Sequence, residues 1–129
     1  MLTANVQAEP KPHAPEFIQG VTIVNADEVV DMILSQPTLT LIDSRKKTEY
    51  QNGHIEGAIN LPNTKLTLEN IEKVSPDKSK AILFYCNGVR CLRSSDSIYK
   101  VKAWGYSNLI WFRNGWEEWI KMRLPVTKD

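Results

Sequence analysis

One short stretch of this chain, Cys86-Asn87-Gly88-Val89-Arg90-Cys91-Leu92-Arg93, gathers two cysteines, a glycine and two arginines, and those residue types describe a sulfur nucleophile beside an anion site. The thiolate is the reactive form of cysteine, and its population rises next to arginine or at the positive end of a helix. The stretch lies between two regular elements. Ala81-Ile82-Leu83-Phe84-Tyr85 is an uninterrupted apolar run, the pattern of a strand buried on both faces of a parallel sheet. Beyond Arg93, Ser94, Ser95, Ile98 and Val101 fall at helical spacing and stop before Gly105, a residue suited to the position just past a helix end. Strand, cysteine, polar loop and helix in that order place Cys86 outside the carboxyl end of a strand. Open α/β sheets bind ligands there, with the unpaired N–H groups of the next helix aimed at the spot. Cys86 is the expected nucleophile, because an inert core cysteine has no need of a glycine turn and two arginines beside it.

The rest of the chain must position that loop. With 129 residues, 42% of them hydrophobic, it can bury one core and is too short for two ordinary domains. Sixteen basic residues against fifteen acidic ones leave a formal charge of +1, which offers no basic surface for nucleic acid or an anionic membrane. No apolar run reaches the length of a membrane span. The two cysteines are too few for a disulfide scaffold, and no Cys or His cluster has zinc-ligand spacing. Neither a metal nor a cofactor is expected.

Residues 1–20 read as a flexible lead-in and residues 21–129 as the domain. The opening MLTANVQAEPKPHAPEF carries three prolines and few large apolar residues, and His13 within it is expected to be solvated and without function. Val6-Gln7-Ala8 resembles the small-residue end of a secretory signal, although the charged and apolar parts of such a signal are absent. The expectation is a soluble protein, periplasmic or cytoplasmic, and those three residues tip it toward the periplasm.

Val21 to Val24 read as a first strand. Asn25 with Glu28 has capping-box spacing ahead of the apolar face Val29, Val30, Ile33 and Leu34, and Pro37 ends that helix. Leu39 to Ile42 form a second strand leading into Asp43-Ser44-Arg45, so polar residues gather again at a strand's carboxyl end. Lys46 to Gly57 is polar and turn-rich. Ala58 to Leu61 form a short strand; Leu66, Ile71 and Val74 mark a small helix; Asn108 to Phe112 form a last strand. Trp116, Trp119 and Ile120 form the face of a final helix. Strands alternating with helices define an α/β fold with a largely parallel central sheet flanked by helices. Trp104, Trp111, Trp116 and Trp119 are expected in the core.

Several of these segments together resemble the single-domain rhodaneses. They are Leu41-Ile42-Asp43-Ser44-Arg45, then Glu49 through Asn60 with its Gly53-His54-Ile55 and Gly57-Ala58-Ile59-Asn60, then Phe84-Tyr85-Cys86, and finally Gly115-Trp116 through Leu124-Pro125-Val126. The resemblance runs from about Val21 to the end. It implies a sulfurtransferase in which Cys86 carries a persulfide, taking sulfane sulfur from thiosulfate or another persulfide and passing it to a thiol, to cyanide or to an acceptor protein. Asn87 to Arg93 would form the substrate loop; Asn87 and Gly88 tolerate the positive φ that an anion-binding nest requires, and the arginines can pair an oxyanion. Asp43 and Arg45 match pocket-rim positions, and His54 a position where a hydrogen-bonding role is expected rather than acid or base catalysis. A sulfur-carrier or regulatory binding module with little turnover is the alternative.

The loop departs from the family pattern in two ways. The usual loop has six residues beginning at the cysteine and closes on an Arg-Ser pair; here either Arg93-Ser94 closes a loop two residues longer, or Arg90 closes a shorter one. Neither arginine has the Cys-x5-Arg spacing of the related phosphatases and arsenate reductases, which argues against those activities. Cys91 is the second departure. It is either a packing residue at the helix start or a resolving thiol that attacks a Cys86 persulfide, and the second role requires Cα atoms about 4.4 to 6.8 Å apart.

Overall fold

The structure is a computed structural model and describes residues 12–129. Val6-Gln7-Ala8 lies outside the described residues. Five strands, β1 (Val21–Ile23), β2 (Thr40–Asp43), β3 (Ile59–Asn60), β4 (Ile82–Tyr85) and β5 (Leu109–Phe112), form a parallel sheet in the order β1-β5-β4-β2-β3. The helices are α1 (Ala26–Ser35), α2 (Lys47–Asn52), α3 (Leu68–Val74), α4 (Arg93–Ala103) and α5 (Gly115–Lys121), with a 3-10 turn at Asn63–Lys65. Each strand lies within one residue of its expected bounds at either end.

β4 is the middle strand, and all four of its residues are buried. Its side chains alternate between two cores, as the twofold period of a strand demands. Ile82 and Phe84 pack with Ile71 of α3, Ile98 and Val101 of α4, and Trp111. Leu83 and Tyr85 pack on the opposite face with Val29 of α1, Phe112 and Trp119 of α5. Burial on both faces explains why the run from Ala81 to Tyr85 shows no polar alternation.

Local signals place the helices. Asn25 Oδ1 accepts from the Glu28 N–H at 2.9 Å, and Glu28 Oε1 accepts from the Asn25 N–H at 3.1 Å, so the capping box forms. Gly105 follows α4 with φ +96°, the left-handed geometry that lets a helix end sharply. Thr67 and Asn70 make a similar reciprocal cap at the start of α3.

Two segments differ from their expected character. Lys46 to Gly57, read as polar and turn-rich, contains α2, which has no fully buried residue and tucks only Tyr50 against the second core. In the stretch assigned to the lead-in, Ala14 and Ile18 are buried in the first core. The Ala14 N–H donates to the Val89 carbonyl at 2.7 Å, and Arg113 donates to the carbonyls of Ala14 and Pro15. His13 is exposed. Among the described residues no helix is long and apolar enough to cross a membrane.

Candidate active site

Cys86 is the first residue after β4 and is 1% exposed. Its Sγ accepts from the backbone N–H of Ser94 at 3.3 Å and lies 3.1 Å from Ser94 Oγ. Ser94 is the second residue of α4, so this amide is one of the N–H groups that a helix leaves unpaired at its start. Trp111 Nε1, which can only donate, gives its proton to Ser94 Oγ at 2.9 Å. Cys86 Sγ carries no hydrogen in its disulfide with Cys91, so in this pair the Ser94 hydroxyl is the donor. Two donors then converge on Cys86, and both favour a thiolate over a thiol. Sequence periodicity put Ser94 and Trp111 in the structural frame. Their contact with the sulfur follows from β4, β5 and α4 meeting, which no local pattern reveals.

Cys86 and Cys91 are joined by a disulfide, with Cα atoms 6.3 Å apart, inside the range a bridge requires. The Cys91 N–H donates to the Gly88 carbonyl at 2.9 Å, closing a turn that carries Cys91 back over Cys86. The nest geometry expected at Asn87 and Gly88 is not formed: neither residue is among those with left-handed φ, which in the described residues are Gly20, Gly57, Gly105, Gly115 and Arg123. The turn and the disulfide fix the loop from one side. From the other, the Trp116 N–H donates to the Cys86 carbonyl and the Glu117 N–H to the Asn87 carbonyl, each at 2.8 Å. Two loop carbonyls are thus engaged by α5.

A cleft of about 420 Å³ opens over this loop, lined by Lys46, Glu49, Asn87, Gly88, Arg90, Cys91, Leu92, Arg93 and Glu117. Arg90 is exposed, whereas Arg93 opens α4 and donates through Nη1 to Asn63 Oδ1 at 2.8 Å. Asn87 Nδ2 donates to Glu49 Oε2 at 2.8 Å. Val89 is half-buried and is held through its carbonyl by Ala14. Lys46, Glu49 and Glu117 were not singled out in the sequence, although Lys46 and Glu49 follow β2 on the same rim. Three cations and two carboxylates face the cleft, so its field is mixed.

Asp43, Arg45 and His54, expected on the pocket rim, are instead buried beneath it, at 0%, 2% and 3% exposure, and do not line the cleft. Arg45 forks onto the Asp43 carboxylate, with Nη2 to Oδ2 at 2.8 Å, and donates to the Gly53 carbonyl at 2.6 Å. Burial alone would lower the pKa of Arg45, but the hydrogen bond and charge of Asp43 raise it overall, so the guanidinium stays protonated. The Tyr85 hydroxyl donates to Asp43 Oδ2 at 2.7 Å, and the Arg45 guanidinium lies 4.6 Å from the Trp116 ring. The ion pair therefore braces Tyr85, which precedes Cys86, and the ring of Trp116, whose amide holds the Cys86 carbonyl. His54 stacks on Tyr50 with ring centroids 3.6 Å apart and faces the Tyr50 carbonyl through Nδ1 at 2.7 Å. Its backbone pairs with Thr127, which ties the chain's end to α2.

Residues 25–122 match the rhodanese-like domain family, and the chain belongs to that family. It is 30% identical over 110 residues to a rhodanese domain-containing protein of Drosophila melanogaster, covering 73% of this chain and 93% of that one. It is 33% identical over 86 residues to the tRNA uridine(34) hydroxylase of Teredinibacter turnerae, covering 63% of this chain but only 26% of that longer protein. Among solved structures, protein BH2092 of Bacillus halodurans superposes with a TM-score of 0.72 at 26% identity, over 83% of this chain and 77% of that one. The thiosulfate sulfurtransferase of Pseudomonas aeruginosa gives 0.67 at 23% identity, over 84% of this chain and 20% of that one, a likeness of fold alone.

Proposed function

We propose that this domain is a sulfurtransferase working through a persulfide on Cys86. The observation that carries the reading is the convergence of the Ser94 N–H and the Ser94 hydroxyl on Cys86 Sγ at the start of α4. Once the disulfide is reduced, the Cys86 thiolate attacks the outer sulfur of thiosulfate. The S–S bond of the donor breaks, sulfite leaves with the electron pair, and Cys86 carries one extra sulfur. An acceptor thiolate or cyanide then attacks that terminal sulfur, and the Cys86 thiolate leaves, stabilised by the same two donors. No general base is required, since the nucleophile enters and departs ionised. Arg90 and Arg93 supply positive charge at the cleft for an anionic donor. The open cleft also suits an acceptor thiol presented by another protein.

Cys86 lies four positions before Arg90 and seven before Arg93, and neither spacing builds the tetrahedral-oxyanion cradle of a phosphatase. The test is intact-mass and peptide mapping of the reduced protein after thiosulfate, using Cys86→Ser as control. One added sulfur on the Cys86 peptide, absent from the variant, is the expected result. Phosphate-ester hydrolysis without any sulfur adduct would refute the reading.

A further inference from the structure

The disulfide of the loop joins two sulfurs in unlike surroundings. Cys86 is buried and held by Ser94, whereas Cys91 is half-exposed and lines the cleft. In the disulfide, where Cys91 lies over Cys86, an external thiol can therefore approach Cys91 and not Cys86. Attack on Cys91 expels the Cys86 thiolate, the better leaving group because two hydrogen bonds receive its charge, and a stabilised leaving thiolate departs faster. The bridge is built to be opened from the Cys91 side, unlike a staple holding two elements together. Its span of five residues within one loop constrains little else in the chain.

We infer that Cys91 is a resolving thiol that gives this domain a second outlet for its sulfur, as free sulfide. The inference rests on the Cys86 persulfide proposed above. In the loaded protein the Cys91 thiolate attacks the inner sulfur, Cys86 Sγ. The Cys86 Sγ to terminal-sulfur bond breaks, hydrosulfide leaves with the electron pair, and the Cys86–Cys91 disulfide forms. A dithiol reductant then attacks Cys91, expels Cys86 and closes its own disulfide, returning both cysteines to thiols. Across the cycle one sulfane sulfur is reduced to sulfide while one dithiol is oxidised. The fold brings the two sulfurs into bonding contact without help from a partner, so the step is intramolecular and outcompetes dilute external acceptors. In the disulfide state Cys86 cannot accept sulfur, and the domain waits for its reductant.

The experiment compares reduced wild type with Cys91→Ser and Cys91→Ala, all under anaerobic conditions. Each is given thiosulfate without added thiol, then followed by intact mass and by a sulfide assay. Wild type is expected to release one sulfide per chain and to finish two hydrogens lighter than the reduced protein, with the bridge mapped to Cys86 and Cys91. Dithiothreitol should restore the reduced mass. Both variants should hold one added sulfur on Cys86, with a lifetime at least about tenfold longer than in wild type. A wild-type persulfide as durable as that of the variants, with no disulfide formed, overturns the inference and leaves sulfur transfer standing. No sulfur adduct in the variants, together with neither sulfide nor disulfide from wild type, overturns both. Wild type alone, with and without thiosulfate, gives an answer independent of how the variants fold: disulfide formed only when thiosulfate is present supports resolution, and none in either sample refutes it.

Discussion

Trp111 donates its indole N–H to Ser94 Oγ at 2.9 Å, and that same oxygen lies 3.1 Å from Cys86 Sγ. The pair links β5 to the Cys86 sulfur through one hydroxyl. Ser94→Ala deletes a hydrogen bond to the thiolate, an interaction worth about 1.5 to 3 kcal/mol when one partner is charged. Less thiolate forms near neutral pH, but the remaining thiolate is more basic and more nucleophilic, which returns about half of the loss. The reduced variant is expected to react with iodoacetamide and thiosulfate roughly 3- to 10-fold more slowly at pH 7. At a pH where both thiols are fully ionised it should be the faster of the two. Alkylation rates across pH check this, and parallel profiles that never cross would remove Ser94 from the chemistry.

Much of the fold was legible because it follows local rules. The apolar run before Cys86 marked β4, Asn25 with Glu28 marked the start of α1, and Gly105 marked the end of α4, since each signal is complete within a few residues. What escaped depends on contacts distant in sequence. Arg45 looks like a rim charge until the Asp43 carboxylate, the Gly53 carbonyl and the Trp116 ring enclose it. α2 is short and polar, and Tyr50 alone ties it to the core. Ala14 and Ile18 sit among prolines, yet they fill space beside α4 and the Val89 loop. At the site, the position of Cys86 between a strand and a helix was legible from the apolar run before it and the helical spacing after it. The conformations of Asn87 and Gly88 were not, because the Cys91 bridge and the amides of α5 set the loop's course.

Tyr85 links stability to alkaline pH. Burial first, then the charge of and hydrogen bond to Asp43, push its phenol well above the ordinary tyrosine value. The folded protein therefore keeps this proton at a pH where the unfolded chain, with a tyrosine pKa of about 10, gives it up. Above that point the unfolded state binds fewer protons, so the stability contributed by neutral Tyr85 is complete below about pH 10 and falls as pH rises further. Tyr85→Phe removes the hydroxyl that donates to Asp43 and accepts from the Ile55 N–H. It is expected to cost about 1 to 3 kcal/mol at neutral pH, the price of stranding buried polar groups. The gap between variant and wild type should narrow from about pH 10 upward, since the variant lacks this ionisation. Tyr50 and Tyr106, also raised chiefly by burial, keep some alkaline loss in both proteins. Urea unfolding midpoints at several pH values test it, and a constant gap would contradict the linkage.

Gly115 couples α5 to the backbone of Cys86. It opens the helix at φ +56°, a conformation that disfavours any residue with a Cβ. A Cβ at this position would also collide with the Cys86 carbonyl oxygen, the atom that accepts from the Trp116 amide. Gly115→Ala therefore meets two penalties at once, one from its own backbone and one from the loop. The loop has little room to yield, because the Glu117 amide holds the next carbonyl at Asn87 and Ser94 holds the sulfur beyond it. The expected cost is more than about 1 kcal/mol in unfolding free energy. A second consequence separates this site from an ordinary glycine turn: displacement of the Cys86 carbonyl shifts Sγ relative to the Ser94 N–H. Thiolate reactivity should fall even where the variant remains fully folded. Gly57→Ala provides the comparison, since Gly57 also has positive φ, at +84°, but a Cβ there meets nothing within 4 Å. It is expected to lose stability without losing iodoacetamide reactivity at Cys86. Denaturation curves and alkylation rates on both variants decide the matter, and equal reactivity in the two would mean that α5 does not position the nucleophile.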